Sequence, residues 1–199
     1  MVNGPAIAWR WRDEFSMVTI VARHTFLRRV FGAAMLDPAI YEEVEADKTA
    51  TIQAGATVIL SSVAAGVGVR ELGAQTLPTV AVVSAIALLM WVAWALITFG
   101  IGVRIMPGPQ TRSTAGELLR TIGFATAPGC LRVLGVVPGA TIPVFAVTAV
   151  WMLAAMVVAV RQALDYQTTA RAVAVCVLGW VLAIAVAIAL GLMFGPTLV

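Results

Sequence analysis

LGAQTLPTVAVVSAIALLMWVAWALITFGIGV, residues 72–103, runs for 32 residues without an Asp, Glu, Lys, Arg or His. A helix needs only about 20 consecutive apolar residues to cross a bilayer. Residues 49–69, 133–160 and 172–199 are equally free of charge. Apolar residues make up 61% of the chain and charged ones 12%, against roughly 25% charged in a soluble domain. The sequence therefore predicts an all-α, polytopic integral membrane protein with lipid as its main solvent. The formal charge of +3 is too small to point to a nucleic-acid partner.

Five spans are expected, at about 49–69, 79–102, 117–137, 143–161 and 171–194. They form a transmembrane domain over 49–199, behind an amphipathic cytoplasmic or interfacial region at 1–48. In that first region Phe15, Val18, Ala22 and Phe26 recur near helical spacing. Arg23, Arg28 and Arg29 add positive charge, and Trp9 and Trp11 precede them. A basic amphipathic helix of this kind lies in the headgroup plane or packs on the bundle. The mixture of Asn3, Pro5, Arg10, Arg12, Asp13 and Glu14 leaves no apolar core for a cleavable signal peptide. Asp37-Pro38 reads as a helix start, with Asp37 as the cap and Pro38 in the first turn. Glu42 and Glu43 are expected near that helix's positive end.

In span one Gln53, Thr57, Ser61 and Ala65 recur every four residues and share one face. Such a stripe packs helices or lines a polar path. Trp91 and Trp94 stand in the middle of span two, away from the interface that Trp prefers. They pack against another helix or wall a pocket. Thr114-Ala-Gly-Glu117 fits a capping box, so a helix starts there. Pro128-Gly129 interrupts span three, because Pro128 has no amide proton to give the Phe124 carbonyl. A kink or break follows, with a hydroxyl such as Thr121 as one candidate partner for that carbonyl. In span five Gly179, Ala183, Ala187 and Gly191 make a second small-residue stripe, for another helix or another subunit.

Basic residues beside spans favour the cytoplasmic side. With the N-terminus inside, Arg10, Arg12, Arg23, Arg28, Arg29, Lys48, Arg104, Arg112, Arg120, Arg161 and Arg171 all fall there, and only Arg70 falls outside. The expected topology is N-terminus cytoplasmic, C-terminus outside.

Reactive chemistry lacks its parts. There is no nucleophile elbow, phosphate loop or zinc motif. His24 is the sole histidine, and Cys130 and Cys176 sit in apolar segments without a CxxC pair. No catalytic residue, cofactor or metal is expected, and the chain reads as a non-enzyme. Candidate lipid, partner or ligand contacts are Arg112, Glu117, Arg120, Pro128, Arg132, Arg161, Asp165 and Arg171. Arg132 lies within a span, where an Arg either snorkels or pairs structurally, or serves binding or conduction. Arg161 and Asp165 are spaced to pair one helical turn apart.

Three segments together resemble the bacterial branch of the Yip family of membrane proteins: LDPAIYEEVEADKTATIQA (36–54), TAGELLRTIGFATAPGCLRVLGVVPG (114–139) and AVRQALDYQTTARAVAV (159–175). The anchors are Glu117, Leu118, Leu119, Arg120, Gly123, Pro128 and Gly129, then Ala163, Leu164, Arg171 and Ala172, within a resemblance covering roughly 36–195. It implies five spans with a cytosolic N-terminus. Eukaryotic members work with Rab GTPases in vesicle trafficking, a role that does not carry over to a bacterial chain with a short N-terminal region. What the resemblance implies is a scaffold or accessory subunit in the bacterial cytoplasmic (inner) membrane. Its partners would be lipids, another membrane protein or further copies of itself. The alternative is a small oligomeric channel or transporter using the broken third span, the Gln53/Thr57/Ser61 stripe and Arg132.

Overall fold

The computed structural model describes residues 25–69, 77–108, 111 and 113–194, and among these every regular element is helical. Helix α1 covers 25–34, α2 Pro38–Ala46 and α3 Ala50–Gly68. Helix α4 covers Leu77–Gly100 and opens into a π-helical turn at Ile101–Ile105. Helix α5 covers Ala115–Phe124 and is followed by a 3₁₀ segment at Ala127–Val136. Helices α6, Thr141–Ala163, and α7, Thr169–Phe194, are the last of the described elements. Arg112, Arg70, Trp9, Trp11 and the stretch from Phe15 to Arg23 lie outside the described residues, as do the surroundings of Ala183, Ala187 and Gly191 within α7.

Local chemistry sets the boundaries. The Asp37 carboxylate accepts from the Ala39 amide at 3.0 Å and Pro38 occupies the first turn. The acids do not sit in that turn. Glu43 instead faces back to α1, where Arg28 and Arg29 bind it. The Thr114 hydroxyl accepts from the Glu117 amide while the Thr114 amide donates to Glu117 Oε2 at 2.7 Å, a complete capping box. At the other end of the third segment the α-helix stops at Phe124, and the chain goes on as a 3₁₀ helix with Pro128 in its first turn. The Thr121 hydroxyl does not serve the break, because it donates to the Glu117 and Leu118 carbonyls one turn back.

Glycines fix the packing of the third segment. A methyl on Gly123 would lie 2.7 Å from the Ala54 Cβ, one on Gly129 would fall on Ser61, and one on Gly68 would fall on the Arg132 carbonyl. The third segment therefore runs alongside α3 in the same direction, from Ala54 to Gly68. The 14 steps of α3 rise about 21 Å, and the 12 steps from Gly123 to Gly135 cover about the same distance. Helix α6 returns antiparallel: Phe145 meets Gly68 and Gly135, Thr148 meets Arg132, and Met152 meets Gly129.

Two buried clusters hold the elements together. One joins α1 and α2 (Ala33, Ile40, Tyr41, Val44) to Ala50, Ala54, Phe124, Ala125, Ala155 and Ala159. The other joins Ala95, Ile101, Leu118, Ile122, Val160 and Leu164 to the start of α7. Residues 25–46 are thus packed onto the bundle. Among the described residues, α3 and α6 are long and apolar enough to cross a membrane. Helices α4 and α7 contain 24 and 26 residues.

Candidate functional site

Nearly every described charge gathers at one end of this bundle, where the N-terminal ends of α3, α5 and α7 meet the C-terminal ends of α2, the π turn and α6. The centre of this polar layer is Arg29, whose side chain is 7% exposed. Its guanidinium donates to Glu43 Oε1 at 2.8 Å, Asp47 Oδ2 at 2.7 Å and Gln53 Oε1 at 2.9 Å. A planar fork suits several acceptors held in one plane. Burial alone would lower the guanidinium's pKa, but its hydrogen bonds to Glu43 and Asp47 outweigh this and raise it. Glu43 is lowered: burial pulls its carboxyl up, and the bonds from Arg29 and Arg28 more than reverse that. Asp47 falls to about 2, through the Thr49 hydroxyl first and Arg29 next.

Arg120 is 6% exposed and reaches from α5 to the end of α2. Its Nε donates to the Val44 carbonyl at 2.9 Å and the Glu45 carbonyl at 3.1 Å, and its Nη2 donates to the Glu45 carbonyl as well. The last carbonyls of a helix have no intrahelical partner and carry partial negative charge. Arg120 is therefore a C-terminal cap supplied from another helix.

The π turn is satisfied in a similar way. Its Met106 amide donates to the Ile101 carbonyl at 2.9 Å. The Tyr166 hydroxyl lies 2.9 Å from the Met106 carbonyl and 3.2 Å from the Gly102 carbonyl. Arg171 stands over the Tyr166 ring and donates to the Pro107 carbonyl, and the Thr111 hydroxyl donates to the Leu164 carbonyl at 2.8 Å. The connection after α4 and the one after α6 are thus tied to each other at the same end.

Arg161 and Asp165 do not pair. Asp165 adopts φ 50°, just past the end of α6, which carries its carboxylate off the helical face. Arg161 donates instead to the Tyr166 carbonyl and the Thr169 hydroxyl. The space between α2 and the α6–α7 turn is a recess of about 250 Å³, lined by Glu42, Glu45, Arg161, Gln162, Asp165, Tyr166 and Gln167. Gln162 crosses it to donate to Glu42 Oε1 at 2.9 Å. Burial, then repulsion from Asp165, Glu117 and Glu42, pushes the Glu45 carboxyl up to about 7, against the pull of Arg120. Glu45 is a contributor that helical spacing alone did not point to.

Away from this end, Arg132 Nε donates to the Thr148 hydroxyl at 3.3 Å, and its guanidinium stands 5.2 Å from the centre of the Phe145 ring. Both partners belong to α6, so the side chain bridges two packed segments. Thr57 and Ser61 are buried, Ser61 against Gly129, and Gln53 belongs to the Arg29 cluster. That stripe is a helix contact. Trp91 packs on Gly55 and donates to the Leu119 carbonyl at 3.2 Å. Trp94 packs on Gly179, the first member of the α7 stripe, and on Trp180. Among the described residues no group of His, Cys, Asp and Glu is arranged to hold a metal ion.

Compared with protein-family models, curated proteins and solved structures, the chain matches none of them.

Proposed function

We propose that this chain is a non-enzymatic membrane scaffold or accessory subunit of the Yip type, crossing the bacterial cytoplasmic membrane five times with its N-terminus and polar layer in the cytoplasm. The observation that carries the reading is the parallel course of α3 and the third segment. Ala54, Ser61 and Gly68 meet Gly123, Gly129 and Arg132 in order. If α3 crosses, a segment that follows it for about 21 Å in the same direction crosses with it. Two parallel crossings need a return between them, which α4 supplies with 24 residues. The antiparallel α6 and then α7 bring the count to five.

The scaffold reading rests on how the polar residues are spent. Arg29, Arg120 and Arg161 all bind groups of their own chain, which favours a rigid platform over a moving catalytic or transport site. The burial of Thr57 and Ser61 at a helix contact speaks against a channel along that stripe. The recess with Glu42, Glu45, Asp165 and Gln167 is the part of the platform open to a basic partner segment. Arg28 and Arg171 are placed to meet anionic headgroups.

Reporter fusions and mild-detergent co-purification test the reading together. The expected result is termini on opposite sides of the membrane, and a stable partner or self-association that Asp165→Lys weakens. Both termini on one side would overturn the architecture. A chain that always migrates alone would overturn the scaffold.

A further inference from the structure

Helix α1 presents an apolar stripe that no other described part of the chain covers. Leu27, Phe31 and Met35 are spaced four apart, hence on one face, and are 64%, 68% and 51% exposed. The opposite face is fully engaged. Arg29 enters the carboxylate cluster, Gly32 packs under Ile40, and the Ala33 carbonyl accepts from the Tyr41 hydroxyl at 3.0 Å. The result is a closed α1–α2 hairpin whose outward side is greasy.

Its position along α6 decides what meets that side. At one end of the hairpin Glu42 bonds Gln162, in the last turn of α6. At the other, the Ala34 carbonyl accepts from Trp151 Nε1 at 2.7 Å. Gln162 and Trp151 are 11 residues apart, about 16 Å of helix. The hairpin therefore lies beside the charged half of α6 and not beyond its end. The turns of α6 that flank Trp151 expose Val147, Val150 and Leu153, so the apolar stripe of α1 lies alongside helix surface of the same character.

Charge placement gives the depth. Arg28, in the register next to Leu27, is exposed and paired with Glu43. Asp37, exposed at the hairpin turn, holds the Ala39 amide. Arg28, Arg29 and their carboxylate partners anchor the open end of the hairpin in the polar layer, and the stripe runs from there along α6 toward the turn beside Trp151.

We propose that residues 25–46 are a built-in hairpin laid along α6, whose Leu27, Phe31 and Met35 are covered by lipid of the cytoplasmic leaflet. The inference rests on the membrane reading above. It adds that this protein occupies more area in one leaflet than in the other, through a segment that crosses nothing.

The test is site-directed spin labelling in liposomes of phosphatidylethanolamine and phosphatidylglycerol, with Cys130 and Cys176 replaced. Single labels go at Leu27, Phe31 and Met35. Ala46 and Lys48, both exposed near the polar layer, are the aqueous references, and Val150 is the lipid reference. Collision with oxygen reports lipid, and collision with a neutral nickel chelate reports water. The proposal expects the three α1 labels to follow Val150 and to be quenched far more by oxygen than by nickel. Labels that follow Lys48 while Val150 stays in lipid would overturn the hairpin and leave the membrane reading standing. A Val150 label open to nickel would overturn the membrane reading itself. Low access to both quenchers at Phe31 would overturn the lipid assignment in favour of a protein contact, such as a second copy.

Discussion

If Arg29 is the joint between α1 and the bundle, removing it should release the hairpin before anything else. Its guanidinium reaches three acceptors, two of them carboxylates, from a side chain that is 7% exposed. Truncating one partner of a buried, hydrogen-bonded charge pair costs about 3–5 kcal/mol. Here Glu43 and Asp47 are 30% and 31% exposed, so both can regain water once the guanidinium is gone. That places Arg29→Met at or just below the bottom of this range, at about 2–3 kcal/mol. Hydrogen exchange on the 25–46 amides reads this directly, because local opening is what the substitution favours. An increase of about 30- to 150-fold in exchange is the same free energy. Asp47→Asn makes the assay specific to the contact. Its effect in the wild-type background should largely vanish beside Arg29→Met, with a coupling of about 1–2 kcal/mol, within the range found for contacting charged groups. Unchanged exchange in α1, or single effects that simply add, would refute the joint.

Three further outcomes follow from the structure. Glu45 has its carboxyl raised to about 7 from 4.5, so its ionised form is disfavoured in the fold, and the penalty is absent below about 4.5, grows between 4.5 and 7 and is complete above 7. Glu45→Gln should therefore raise the melting temperature at pH 8 and leave it unchanged at pH 4.5. An equal gain at both would refute the assignment. The opposite sign applies to Asp47, whose lowered pKa contributes stability that is lost as the pH falls toward about 2. Gly68→Ala pushes a methyl onto the Arg132 carbonyl and should cost about 1–3 kcal/mol in thermal unfolding. Gly100→Ala, where nothing lies within 4 Å, should be neutral or stabilising. Equal losses at both positions would refute the close approach of α3 to the third segment.

What could be read from the sequence was what is written in neighbouring residues. The caps at Asp37 and Thr114 and the interruption near Pro128 involve atoms within four residues of each other, and all three are present. The partners of Arg29 and Arg120 could not be read, because they lie 14 to 76 positions away. One signal was available: Arg120 is flanked at four-residue spacing by Gly116 and Phe124. Glu117, three residues back on the same face, is spent on the Thr114 amide of the capping box, so the Arg120 guanidinium finds its acceptors on another element. The expected Arg161–Asp165 pair failed for a backbone reason. Helical spacing pairs two side chains only while the helix lasts, and Asp165 has already left it at φ 50°. The π turn left no mark, because Ile101, Gly102 and Val103 continue the uncharged run of the helix before it up to Arg104.

The third segment shows how a local break can serve a global length. A proline in a span is read as a loss, since it removes one backbone bond and bends the helix. Yet the change to 3₁₀ geometry also changes the rise, from about 1.5 to about 2.0 Å per residue. Ten residues of α5 and ten of 3₁₀ helix cover about 35 Å if nearly collinear, against about 30 Å for twenty residues of α-helix and about 30 Å of hydrocarbon. The break therefore lengthens the segment. It also narrows it, because a 3₁₀ helix is the thinner coil, and Gly129 and Gly135 then bring its backbone against Ser61 and Gly68. The thin half lies between α3 and α6, where space is shortest. The thick half carries Arg120 to the end of α2, where a wide polar layer has to be capped.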